Sequence, residues 1–445
     1  MARASGRAAG KVSRRLGRGG GTTLPGVVAR FVEPGVATGL GARLPEGAIV
    51  VSGTNGKTTT TRILSTMLAA SGRRVVHNRA GANLMSGVTT ALLEQRGDIG
   101  LFEVDEATIP AAVRELRPRL VLCLNLFRDQ LDRYGELNTL AAKWANALAE
   151  LPAEATALLN ADDPLMANLG ASLPCRVAYF GLDSADQALS EMQHAADSLY
   201  CPRCSALLAF DAVYYGHLGV YRCPSCAWTR PAPDFAARAV TLGADCPTRF
   251  ELRDLCLETG LPGLYNVYNV LAASAAALTL GIAADAVRRT AAQFGGAFGR
   301  TELVEMDGKR LRLLLAKNPV GYNEVIRTLL LDPAPLRLYL ALNDRIADGQ
   351  DVSWIWDVDF ELLAGRAATV LAGGDRAEDL AVRLKYAGLG SEQIRVVKDH
   401  ATALRELLAA VPQGATAYAV PTYTAMLDLR QMLAKAGVVR QFWDD

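Results

Sequence analysis

The chain reads as an α/β protein in which one parallel sheet wrapped by helices is followed by a second, and three observations predict this. Short apolar or β-branched runs alternate with longer amphipathic ones from residue 48 onward. The alternation breaks near Ser198 and resumes around Leu261, as an insertion would make it do. A further alternating stretch begins after residue 300. With 445 residues, 50% of them apolar, the chain has room for two or three domains with sizeable cores.

From Met1 to Val32 there are seven basic residues and no acid, and Arg3, Arg7, Lys11, Arg14 and Arg18 recur at helical spacing. A helix there carries one basic face. That face suits either plain solvent or an anionic membrane surface, where each basic residue adds about 1 kcal/mol. The glycine-rich stretch from Gly17 to Gly21 limits its length. This basic segment is bounded at residue 44. No apolar signal core and no run of 18 apolar residues is present, so the expectation is a cytoplasmic protein, peripheral at the inner face of the membrane if the basic face docks there. The 47 basic and 46 acidic residues nearly cancel, which argues against a nucleic-acid binder working by wholesale phosphate neutralisation.

The first domain is expected over 45–300, with strands at "AIVV", "RRVVH", "IGLFEV", "RLVLCLNLF", "ATALLN" and "RVAYF". The first strand runs into "SGTNGKTTT" and then an amphipathic segment. In that loop Gly53 and Gly56 let the backbone turn so that its N–H groups face phosphate oxygens. Lys57 reaches the outer phosphates and the Thr58 hydroxyl suits magnesium. The commonest loop of this kind has a further glycine five residues before Gly56, where this chain has Val51.

Cys201-Pro-Arg-Cys204 and Cys223-Pro-Ser-Cys226 are separated by 18 residues, the spacing of a four-thiolate zinc ribbon with no open coordination position. A structural Zn2+ site within an insertion at 198–230 is the expectation. Cys123, Cys175, Cys246 and Cys256 read as ordinary buried thiols. Past "GGAFGR", the run "TELVEMDGKRLRLLL" predicts two strands about an Asp307-Gly308 turn. The segments "LRLYLAL", "AATVLAG", "QIRVV" and "ATAYAV" complete a Rossmann-like C-terminal domain over 301–445.

The loop "SGTNGKTTT" resembles the ATP-binding signature of the Mur ligase family, amide-forming enzymes of peptidoglycan precursor synthesis, and further matches follow in the family's order. The resemblance implies an ATP site formed by Gly53, Thr54, Asn55, Gly56, Lys57, Thr58 and Thr59. It makes Glu103, at the end of "GLFEV", a Mg2+ ligand beside Thr58. It brings Asn266 and Asn269 of "LPGLYNVYNV" to the adenine and Arg300 of "FGRTE" to the phosphates. Lys143 lies near a lysine that several members carbamylate. The family's Asp-His-Leu-Asp stretch corresponds to "DQLD", with Gln130 for the histidine. Its Asp-Tyr-Ala-His-Asn-Pro corresponds to 314–319, with Leu314 for the aspartate and Lys317 for the histidine. Only about fifty residues precede the loop, too few for the domain of ordinary size that holds a UDP-sugar in the family.

These departures are similar to one branch of the family, a ligase-like subunit that pairs with a GatD-like glutaminase. That pair amidates the α-carboxyl of D-glutamate in the lipid II stem peptide. The resemblance implies an acyl-phosphate mechanism with Lys57 and Glu103 in the catalytic machinery. It also implies an aspartate from "DGQDVSWIWD" that completes the partner's Cys-His site: Asp351 first, Asp348 second, with Asp357 and Asp359 close by. A turn cap at Gly349 with core or interface tryptophans Trp354 and Trp356 is the structural alternative. Two rival functions are an amino-acid-adding ligase of folylpolyglutamate synthase type and a zinc-ribbon ATPase that binds nucleic acid.

Overall fold

The structure is a computed structural model and describes Ser5 and residues 23–78, 81–129, 137–243, 247–295, 300–306 and 308–439. The expected basic helix with Arg3, Arg7, Lys11, Arg14 and Arg18, the departure at Gln130, the thiol of Cys246 and the Asp307 turn residue lie outside the described residues.

The strand runs of the first half assemble as their apolar content dictates. β1 (Ala48–Ser52), β2 (Val75–His77), β3 (Ile99–Glu103), β4 (Leu120–Cys123), β5 (Thr156–Asn160) and β6 (Arg176–Leu182) pair in parallel. β1, β3, β4 and β5 are buried throughout, which a parallel sheet covered by helices on both faces requires. Alternate side chains go to opposite cores: Ile49 and Val51 to one, Ala48 and Val50 to the other. The chain then forms the hairpin β7 (Ala209–Tyr215) and β8 (Leu218–Arg222) before returning to the first sheet.

That return corrects the sequence reading, which had the alternation absent until Leu261. β9 (Phe235–Thr241) joins β6 in parallel, and β10 (Thr248–Leu252) and β11 (Leu255–Thr259) extend the sheet antiparallel. The resulting order is β11-β10-β9-β6-β5-β4-β1-β3-β2. These edge strands alternate buried and exposed positions, so they lack the solid apolar runs by which the others are recognised. Cys256, expected to be buried, sits on β11 and is exposed, while Cys123 and Cys175 are buried.

The second sheet has the order β12-β13-β17-β14-β15-β16. Its strands are β12 (Arg300–Met306), β13 (Lys309–Leu314), β14 (Leu336–Ala341), β15 (Ala367–Gly373), β16 (Ile394–Val396) and β17 (Thr416–Pro421), with only the β12–β13 pair antiparallel. Leu338 and Leu340 face one core, Tyr339 and Ala341 the other. Five helices matter for function: α1 (Leu24–Val32), α2 (Lys57–Ala70), α3 (Met85–Glu94), α4 (Leu264–Thr279) and α5 (Pro319–Leu329). No helix among the described residues is long and apolar enough to cross a membrane.

Candidate active site

In the first sheet, β1 has β3 on one side and β4 on the other, so chain order reverses there and a crevice opens at the carboxyl ends of the strands. The glycine loop fills it. Gly53 has φ +148° and Gly56 φ +86°, where a side chain is strained, and both also lack space. A Cβ on Gly53 would stand 2.8 Å from Leu124 Cβ, and one on Gly56 would stand 2.1 Å from Asn269 Oδ1. Asn125, just past β4, fixes the loop: its carbonyl accepts from Thr54 N (3.0 Å) and its Oδ1 from Asn55 N (2.9 Å). The Thr54 hydroxyl donates to Phe127 O (3.2 Å).

Helix α2 begins at Lys57 with Gly56 as its N-cap, so unpaired N–H groups and the positive dipole end face the crevice. The buried Lys57 ammonium bonds Glu106 (2.9 Å) and Thr54 O (3.3 Å), and it also contacts Gly53 O. Burial opposes its charge, but Glu106, with Glu103 and Asp129 beyond, outweighs burial and holds its pKa above the ordinary lysine value. Burial likewise pushes Glu106 up, yet Lys57 and Lys317 win and leave it below the usual carboxylate range. The Thr58 hydroxyl donates to Glu103 Oε1 (3.0 Å), which brings a hydroxyl and a carboxylate together beside the loop as a magnesium site requires. Asn78 holds the Glu103 backbone at both N and O (3.0 and 2.7 Å).

The two asparagines of α4 form a chain: Asn269 Nδ2 donates to Asn266 Oδ1 (3.1 Å), and Thr60 donates to Asn269 Oδ1 (3.3 Å). From the other sheet, Asn318 caps α5 by accepting from Gly321 N (2.8 Å), while its amide donates to Asn55 Oδ1 (3.0 Å). These elements enclose a cavity of about 430 Å³ lined by residues of both sheets, among them Lys57, Glu103, Asn266, Asn269, Lys317 and Glu324. Thr54, Asn55, Gly56, Thr58 and Thr59 line it too.

Sequence reasoning missed Glu106 and Glu324 as site acids and gave Asp129 only as the first residue of "DQLD". Glu106 is buried in the same cavity, and Asp129 lines it with its carboxylate largely enclosed, paired with Lys317 and raised in pKa chiefly by burial. Glu324 is 2% exposed, its pKa raised by burial against the pull of Arg327 (2.7 Å), and its Oε2 has no hydrogen-bond partner. Glu106 carried a signal as the third acid of "EVDE", and Asp129 as the first residue of "DQLD".

Other expected residues lie elsewhere. Lys143 is exposed and does not line the cavity. Arg300 opens β12, at the start of the second sheet. Asp348 is buried and occupied, accepting from Thr424 N (2.8 Å) and the Thr424 hydroxyl (2.5 Å). Asp351 is exposed, accepts from Ser353 N (2.8 Å) and from the Ser353 side chain, and lines a shallow groove with Ser353, Trp356, Arg376 and Val382. The four ribbon thiols lie within 4.8 Å of one another, with Cys201–Cys226 at 3.7 Å and Cys204–Cys223 at 3.4 Å. The edge of a tetrahedron with Zn–S bonds of about 2.3 Å is about 3.8 Å, so the thiols fit zinc. The Cys226 amide donates to Cys223 Sγ and lowers that thiol to about 6.

Comparison with known proteins agrees with this geometry. Residues 51–202 match the Mur ligase middle domain and 315–426 the MurT ligase C-terminal domain. The chain is 34% identical to the lipid II isoglutaminyl synthase (glutamine-hydrolyzing) subunit MurT of Streptococcus pneumoniae, over 98% of this chain and 97% of that one. It is 31% identical to the subunit of the same name from Staphylococcus aureus strain N315, over 96% and 95%. The MurF ligase of Thermotoga maritima, solved in complex with ADP, superposes with a TM-score of 0.64 at 16% identity, covering 91% of this chain and 83% of its own. That likeness shows the Mur ligase fold, and the near full-length identity to its relatives shows that this chain belongs to the MurT family.

Proposed function

We propose that the chain is the ligase subunit of a lipid II isoglutaminyl synthase. ATP transfers its γ-phosphoryl group to the α-carboxylate of the stem-peptide D-glutamate, releasing ADP. Ammonia from a GatD-like glutaminase partner then attacks the acyl phosphate. A C–N bond forms, the C–O bond to phosphate breaks, phosphate leaves and one proton is lost, giving D-isoglutamine. The observation that carries this reading is the full-length similarity, which runs through both sheets and includes the C-terminal region at 315–426.

The cavity chemistry supports it. Two anions must meet, and Lys57 with the N-terminus of α2 supplies fixed positive charge where they do. Thr58 and Glu103 would hold Mg2+, which when bound screens the phosphates. Asn266 and Asn269 would take the adenine, and Arg300 is assigned to the phosphates by the family resemblance. Cys201, Cys204, Cys223 and Cys226 would hold a structural Zn2+, and β7 of the same insertion ends at Tyr215 on the cavity wall. Asp351 would complete the partner's site by accepting from the far nitrogen of a histidine. Its exposure favours it over Asp348, whose oxygens are already engaged. The reading places the chain in the cytoplasm.

The test is mass spectrometry of lipid II incubated with the chain, ATP, magnesium and ammonium chloride. A product about one mass unit lighter at the glutamate, absent with Lys57→Ala, is expected. An amide formed with ammonium as sole donor also separates this reading from an amino-acid-adding ligase. No shift here or with glutamine and the glutaminase present, from a chain that binds ATP, would overturn it.

A further inference from the structure

Helix α1 packs the wrong way round for a surface helix. Its small residues face inward: Pro25, Gly26 and Ala29 are buried, and a Cβ on Gly26 would fall 1.8 Å from Ser86 O of α3. Gly26 N donates to the Thr90 hydroxyl (2.9 Å), and Arg30 pairs with both carboxylate oxygens of Glu115 (2.5 and 2.8 Å). The helix is thus pinned on its inner side. Its large apolar residues face outward: Leu24, Val27 and Phe31 recur at one-face spacing and are exposed with Val32, Phe31 by 88%. Leu84, just ahead of α3, is exposed as well, and with Thr23 it lines the rim of the cavity. A contiguous apolar patch of this kind marks a site of association.

We propose that this patch docks on an anionic lipid surface. Charge and composition argue for that occupant. Residues 1–22, which precede the helix, contain six basic residues and no acid, a sequence that complements anionic headgroups next to an apolar face that enters the acyl boundary, while Arg30 is held by Glu115. The sequence ahead of the helix has only Met1, Val12 and Leu16 as large apolar residues, a composition suited to a charged surface rather than to an apolar one. Another exposed apolar cluster, Trp356, Val382 and Tyr386, flanks Asp351 in the C-terminal half and falls to the partner side of the proposed function. The inference rests on that function in one respect: a lipid-linked peptide stays in the bilayer, so the cavity has to be brought to it. Thr23 and Leu84 tie the patch to the cavity rim.

The experiment is co-sedimentation of the full chain with vesicles of phosphatidylcholine alone or mixed equally with phosphatidylglycerol, without lipid II or ATP, so that its outcome is separate from that of the ligase assay. Binding to the mixed vesicles is expected. Val27→Ser with Phe31→Ser should weaken it by about tenfold or more, with unchanged melting and ATP binding because both side chains are exposed. In a Phe31→Trp variant, brominated lipid should quench the added emission. Equal binding by the double variant, no quenching, or conversion of a dimer to a monomer by Phe31→Ser in light scattering would overturn the proposal, the last by making a second copy the occupant.

Discussion

Lys57 is a buried cation whose neighbours are already acids, and this makes its removal informative in two ways. Lys57→Ala should lower kcat/KM for ATP-dependent amidation by about 10²–10³-fold, the scale of losing one preorganised electrostatic contact. It also leaves Glu106 buried without its partner at 2.9 Å, which should destabilise the chain by about 3–5 kcal/mol. Adding Glu106→Gln should restore most of the melting temperature and none of the activity, so calorimetry and turnover together separate the two losses. Glu103→Gln should behave differently, because Asn78 holds the Glu103 backbone independently of its carboxylate. The magnesium concentration for half-maximal rate should rise at least about tenfold with little change in melting. The loop residues were legible because a phosphate grip imposes glycine, lysine and threonine at fixed spacing along one turn, and Glu103 through the resemblance to the Mur ligase family. The pairing of Lys317 with Asp129 was not, since it spans 188 positions and exists only once the two sheets are folded together.

At the scale of elements, the ribbon and its surroundings show what spacing can and cannot announce. Two CxxC pairs identify the insertion outright, but its own apolar core is small, with Leu208, Tyr221 and Trp228 at its centre. Such a unit depends on its metal. Chelation should therefore release one zinc per chain, measured by a chromophoric indicator, and lower the melting temperature, and Cys204→Ser should reproduce both. The segment between β6 and β7 meets the second sheet through His194, whose Nδ1 lies 2.8 Å from Asp359 Oδ1. The Asp359 carboxylate raises the His194 pKa above the ordinary histidine value. A folded pKa raised in this way contributes stability that is complete below about pH 6.5 and is lost as pH rises through the folded value. The histidine is largely exposed, so solvent screening keeps the contribution under about 1 kcal/mol. His194→Gln should remove that pH dependence from the melting curve and leave stability at pH 8 unchanged. Nothing in the sequence pointed to this contact, because a lone histidine and an aspartate 165 positions away carry no shared pattern.

The molecule as a whole is two sheets that close one cavity, and contacts between them gather around it: Asn55 with Asn318, Asp129 with Lys317, and Arg128 with Asp357 (3.2 Å), with His194–Asp359 and Arg327 to Tyr214 O (2.7 Å) further out. The proposed partner site is separate from this cavity: Asp351 stands exposed beside Trp356 and Arg376 in a groove that shares no lining residue with it. That separation yields a prediction about the two half-reactions. Asp351→Ala removes a surface carboxylate whose hydrogen bonds go to the neighbouring Ser353, so the fold and the ATP site should be untouched. In the assembled complex it should cut glutamine-driven amidation by at least about 10²-fold, since a histidine without its acid loses its tautomer and orientation. Ammonium-driven amidation by the same preparation should stay at the level of the parent chain, whereas Lys57→Ala should lose both. Asp348→Ala serves as the contrast: its carboxylate holds Thr424 at the start of the helix after β17, so its loss should lower the melting temperature first and affect both nitrogen sources alike. If Asp351→Ala instead weakened both reactions equally, the acid would act on the ligase half, and the division of labour between the groove and the cavity would be wrong.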